Sequence, residues 1–90
     1  MKIRGFDLIE TCHEMPEQYD VFKDGRRCGY IRVRYGIIEA DYWPESQEWM
    51  DPTVYEERFS DSLLGRLPDK YREFYLSKAL RKLKQYMKTK

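Results

Sequence analysis

One histidine and two cysteines stand among 90 residues. That scarcity removes most chemistry at the outset. A structural zinc site wants four ligands at recognisable spacing, and neither CxxC nor HxxxH occurs. Cys12, His13 and Glu14 are contiguous, with Cys28 further on, but neighbours in an extended segment point to opposite faces and do not share one ion. Any Ser-His-Asp set would have to use His13, and no GxSxG elbow is present. The Gly-rich phosphate loop and the dinucleotide fingerprint are also missing. Glu39, Asp41 and Glu45 supply paired carboxylates, but Glu39 has an ion-pair use opposite Arg32 and no enclosing scaffold is evident. No apolar run approaches the roughly 18 residues of a membrane-spanning helix. The start, MKIRGFDLIE, has no apolar core of a secretory signal. The expectation is a cytoplasmic chain with free thiols, no membrane, no metal, no cofactor and no enzymatic activity.

Charge of one sign is lacking too. The formal net charge is +1, too little to imply an anionic partner by itself. Its distribution says more. Residues 1–35 balance to +1, residues 36–67 to −6 and residues 68–90 to +6. An acidic middle and a basic end suit each other within one fold, and each also suits a docking partner.

What is present is a core. Hydrophobic residues make up 41% and aromatics 16%, which argues against disorder, and the length fits one domain over 1–90. The pattern predicts an α+β fold: an antiparallel meander of about four strands packed by one C-terminal amphipathic helix. A first strand is expected over about Ile3–Thr11, where Phe6 and Leu8 alternate with Asp7. His13–Glu17 reads as a loop around Pro16. Tyr19–Trp43 reads as three strands. Lys23-Asp24-Gly25 suits a three-residue bulge-type loop pairing Phe22 with Arg26 and Val21 with Arg27, which keeps Tyr19 and Val21 on the face of Gly29, Ile31 and Val33.

The next hairpin turns at Tyr35-Gly36. Its two-residue loop pairs Val33 with Ile38 and Ile31 with Ala40 on one face, and Arg32 with Glu39 and Tyr30 with Asp41 on the other. Thr53–Phe59 suits an edge strand, with Asp51-Pro52 as a competing helix start. Ser60–Leu67 reads as a connector. A helix is expected from about Pro68 to Lys88, burying Tyr75, Leu76, Ala79, Leu80, Leu83, Tyr86 and Met87.

The stretch Tyr19–Tyr35, with its turn and GYIRVR strand, resembles the early strands of acetyltransferases of the GNAT fold. Those enzymes need a Gly-rich loop opening a helix. Leu64-Gly65-Arg66 does not supply one, so the resemblance implies no activity. A wider resemblance runs through FDLIE, PEQYDVFKDG, GYIRVRYG and FYLSKAL. This order is similar to small uncharacterised proteins of Firmicute mobile elements, of the conjugative transposon and prophage type. It implies an accessory or host-interaction role, with the insert Trp43–Asp51 as the place of departure from relatives.

Two partner classes follow. Tyr42, Trp43, Trp49, Met50 and Tyr55 crowd one acidic stretch and are candidate protein-binding anchors, since Trp and Tyr dominate interface cores. The competing reading folds them back as a lid on a small core. Lys78, Arg81, Lys82, Lys84, Lys88 and Lys90 make a basic helix face that would suit nucleic-acid phosphates, with Arg32 and Arg34 beside Tyr30 as a supplement on the sheet. The leading expectation is a protein-interaction module, the alternative a nucleic-acid-binding accessory protein. Self-association through an edge strand or a Trp patch is a third outcome.

Overall fold

The computed structural model describes residues 1–12, 15–44 and 53–89. Six antiparallel strands lie side by side in chain order: β1 (Lys2–Ile3), β2 (Phe6–Cys12), β3 (Glu17–Lys23), β4 (Arg26–Arg34), β5 (Ile37–Tyr42) and β6 (Thr53–Arg58). A 3-10 turn, Asp69–Tyr71, leads into α1 (Arg72–Lys88). The expected α+β meander with one C-terminal helix holds, but with six strands rather than about four.

The unexpected strand comes from the N-terminus, while the acidic stretch supplies the expected edge strand. The expected first strand is a hairpin. Arg4 (φ 53) and Gly5 (φ 84) turn the chain so that Ile3 pairs with Phe6. Two successive positive φ values match the right-handed twist of the flanking strands. Asp24-Gly25 and Tyr35-Gly36 repeat that conformation. The ambiguous segment 53–59 is strand at Thr53–Arg58, at the edge of the sheet. Glu17, expected in a loop, opens β3.

The β3–β4 turn needs a correction. It is a two-residue turn with Lys23 opposite Arg26 and Phe22 opposite Arg27, and the odd residue sits further in. A bulge at Cys28 brings Val21 opposite Gly29 and Tyr19 opposite Ile31. The expected faces survive, because the bulge restores the parity that the shorter turn removes. The pairs themselves move, Phe22 by one residue from Arg26 to Arg27 and Val21 by two from Arg27 to Gly29. The β4–β5 hairpin has every expected pair, including Arg32 with Glu39 and Tyr30 with Asp41. The Arg32 guanidinium lies 2.6 Å from the Glu39 carboxylate.

One face of the sheet carries Phe6, Leu8, Tyr19, Val21, Ile31, Val33, Ile38 and Ala40, all buried. Helix α1 covers it with Leu76, Ala79, Leu80 and Leu83, none of them exposed. Tyr75, Tyr86 and Met87, also expected inside, pack at the margin and are half-buried. The helix touches β5, β6 and the far edge strand β1, so the sheet curls around it. Gly29 marks a close approach of helix and sheet. A Cβ there would stand 2.7 Å from Leu83 Cδ2 and 3.0 Å from the Asp41 carbonyl oxygen.

The start of α1 also differs from the expected Pro68. Residues 69–71 tighten into the 3-10 turn, and the α-helix begins at Arg72. The reason lies on β3. Glu17 continues the inward row of Tyr19 and Val21 and is wholly buried. Its carboxylate accepts from the Leu67 N–H at 2.9 Å, from Arg72 Nε at 2.9 Å and from the Tyr19 hydroxyl. Arg72 also donates to the Leu67 carbonyl at 2.8 Å and pairs with Asp69. One guanidinium therefore ties the connector, the 3-10 turn and the sheet together.

Candidate protein-docking surface

The expected anchors are divided by the alternation of the strands. Tyr42 lies on the helix side, its ring 5.3 Å from that of Tyr86. Tyr55 is on the same side, where its hydroxyl donates to Glu57. Both pack against the core and are half-buried, so they correspond to the competing lid reading rather than to free anchors. Trp43 projects to the opposite face, between the Tyr30 ring at 6.2 Å and the Arg27 guanidinium at 4.1 Å. Trp49 and Met50 lie outside the described residues.

The basic face is also smaller than expected. Lys78 turns to the sheet edge and pairs with Glu57 at 2.8 Å, holding that carboxyl below its usual value. Arg81, Lys82, Lys84 and Lys88 are exposed on the far side of α1. Lys90 lies outside the described residues.

Among the described residues no three of His, Cys, Asp or Glu are grouped to hold a metal, and His13 is not among them. The Cys28 thiol is buried, and burial pushes its pKa up to about 11, leaving it a poor nucleophile. Burial likewise raises the Asp41 carboxyl, against a hydrogen bond from Thr53. No helix among the described residues is long and apolar enough to cross a membrane.

A different surface emerges at the β4–β5 turn. The connector after β6 folds back over it. Phe59 N–H donates to the Gly36 carbonyl at 2.9 Å, and Gly36 N–H donates to the Leu64 carbonyl at 2.8 Å. Arg58 fastens the same crossing through the Tyr35 and Ser60 carbonyls, at 3.3 and 3.1 Å. Gly36 is required for this approach, since a Cβ there would lie 2.3 Å from the Ser60 carbonyl oxygen. Further along, Glu17 N–H donates to the Gly65 carbonyl at 2.7 Å, bringing the connector against Met15 and Pro16.

Three separate segments thereby meet in one open groove of about 400 Å³, lined by Met15, Pro16, Arg34, Tyr35, Leu63 and Gly65. Met15 is 65% exposed, Tyr35 57% and Leu63 78%, with Leu64 beside them at 43%. Single exposed apolar residues are ordinary, but a group of them around one groove makes a candidate contact surface. Tyr35 adds a second sign. It holds φ 57, a conformation that a bulky side chain adopts only against a steric penalty, while its ring stays out of the core.

In the sequence, Arg34 entered only as a supplement to the basic helix face and Gly65 only in a rejected phosphate loop; Met15, Tyr35 and Leu63 did not stand out. The available signals were Leu63-Leu64 in a polar connector and an aromatic where a turn favours Asn or Asp. No family model, no curated protein and no solved structure matches this chain.

Proposed function

We propose that the chain is a small protein-docking module that binds its partner at the β4–β5 end. The observation that carries this reading is the convergence of Met15, Tyr35 and Leu63, each more than half exposed, on one groove. Large apolar side chains gain little by pointing into water, and their burial against a partner is worth about 25 cal/mol per Å². The surrounding backbone is cross-linked through Gly36, Leu64, Gly65 and Glu17, so the groove stands preformed and little ordering cost attends binding. An accessory, host-interaction role of the kind implied by the mobile-element resemblance is in keeping with such a module.

The test is a random-peptide display library selected on the full chain and on the Tyr35→Asn/Leu63→Ser double variant. The reading predicts peptides that enrich on the wild type and are lost on the variant. No enrichment, or equal recovery from both proteins, would overturn it.

A second reading keeps one observation of its own. Arg81, Lys82, Lys84 and Lys88 are exposed along α1 and form no salt bridge among the described residues. Phosphate binding by that face would weaken steeply with salt and vanish in Arg81→Glu/Lys84→Glu.

A further inference from the structure

The groove is apolar apart from one charge. Of its six lining residues only Arg34 is ionised. Arg34 is exposed at the end of β4, and among the described residues no carboxylate pairs with it. Three other arginines of this region have structural uses. Arg58 is occupied by the Tyr35 and Ser60 carbonyls, and Arg72 by Glu17. Arg32, two residues earlier on the same strand face, is paired with Glu39. Of these four arginines, Arg34 is the one with no carboxylate or carbonyl partner among the described residues.

The guanidinium also has an aromatic neighbour. It lies 5.3 Å from the centroid of the Tyr35 ring, within cation–π range. The contact keeps the guanidinium beside the ring, and the N–H edge of an Arg fork matches a carboxylate with two parallel hydrogen bonds. Tyr35 in turn is fixed by its turn, whose backbone is clamped on the connector. An apolar occupant would strip water from the groove and strengthen a charge-assisted bond at its margin.

We propose that the groove selects an extended peptide segment carrying an Asp or Glu side chain beside its apolar residues, with Arg34 as the carboxylate's partner. This rests on the docking reading above and adds its specificity. Met15, Tyr35 and Leu63 supply area without direction, whereas the Arg34 fork fixes which end of the segment lies toward β4.

The experiment uses peptides displayed as internal fusions, so that no free C-terminal carboxylate competes with side chains. The enriched peptides should carry an acidic residue at a constant offset from an apolar pair. The best of them, made as a synthetic peptide capped at both ends, should bind Arg34→Glu about tenfold more weakly or worse, and Arg34→Lys by an intermediate amount. A peptide with its acid changed to Lys should regain binding on Arg34→Glu. Arg81→Glu makes the same charge change outside the groove and should leave affinity unchanged. Arg34 is exposed at a strand end, and Arg34→Lys keeps both charge and stem, so loss of fold does not obscure the comparison. Apolar peptides without acidic bias would overturn the carboxylate while leaving docking intact. An equal loss in Arg81→Glu would also overturn it, since the effect would then be general charge. No enrichment at all would overturn both.

Discussion

Arg72→Met removes the guanidinium and keeps much of its aliphatic bulk. It leaves the Glu17 carboxylate with the Tyr19 hydroxyl and the Leu67 N–H, but with no cation, in a site with no solvent exposure. Breaking a buried ion pair from one side costs about 3–5 kcal/mol. A chain of this length is stable by only about 5–13 kcal/mol, so the loss is a large share of the whole. The sign with pH is as informative as the size. Burial alone would raise the Glu17 carboxyl, but Arg72, Tyr19 and the Leu67 N–H together hold it below 4.5. Its stabilisation is therefore present above that unfolded-chain value and lost as pH falls through the lower folded one.

In the variant the lowering by Arg72 is gone, so the same carboxyl titrates higher than in the wild type and contributes less stability as pH rises. The difference between wild type and variant should therefore grow from pH 3 to pH 7. Urea unfolding followed by circular dichroism at several pH values measures it. Glu17→Gln combined with Arg72→Met should recover part of the loss, because the charge is gone while an acceptor remains for Tyr19 and Leu67. A loss under about 1 kcal/mol at pH 7, or a loss that shrinks as pH rises, would refute the staple.

Gly29→Ala should destabilise by about 1–3 kcal/mol in urea unfolding, since its Cβ meets Leu83 and the Asp41 carbonyl; Gly25→Ala has open space and should act through its turn conformation instead. Leu83→Ala opens the helix–sheet seam and should cost about 2–5 kcal/mol by the same assay. Tyr35→Asn should raise stability by about 0.5 kcal/mol, because Asn tolerates the left-handed turn position and the Tyr ring buries little, while peptide binding falls. Acidification should leave the Cys28 thiol unreactive, and alkylation at neutral pH should modify the half-buried Cys12 well before Cys28, as peptide mapping after iodoacetamide would show.

Where neighbours in sequence are neighbours in space, the residues were legible. The β4–β5 hairpin followed from alternation, because one register puts Val33, Ile38, Ile31 and Ala40 on the buried face and brings Arg32 to Glu39. The helix face followed from its period. The β1–β2 turn was hidden by Arg4, a residue that rarely takes positive φ. The Cys28 bulge was hidden because a two-residue turn with a bulge and a three-residue turn keep the same faces. Glu17 read as a loop residue because its partners, Leu67 and Arg72, are 50 and 55 positions away. The aromatic anchors were grouped by proximity, yet Tyr42 and Trp43 are successive residues and so lie on opposite faces. The groove joins Met15, Tyr35 and Leu63 from three segments, and no local pattern connects them.

The most direct test of docking at the β4–β5 end is an amide chemical-shift map of the isotope-labelled chain titrated with one selected peptide. The account predicts shifts centred on Met15, Arg34, Tyr35, Gly36 and Leu63–Gly65, with the amides of 81–88 unmoved. Shifts centred on 81–88 or around Trp43, with the β4–β5 turn silent, would contradict it.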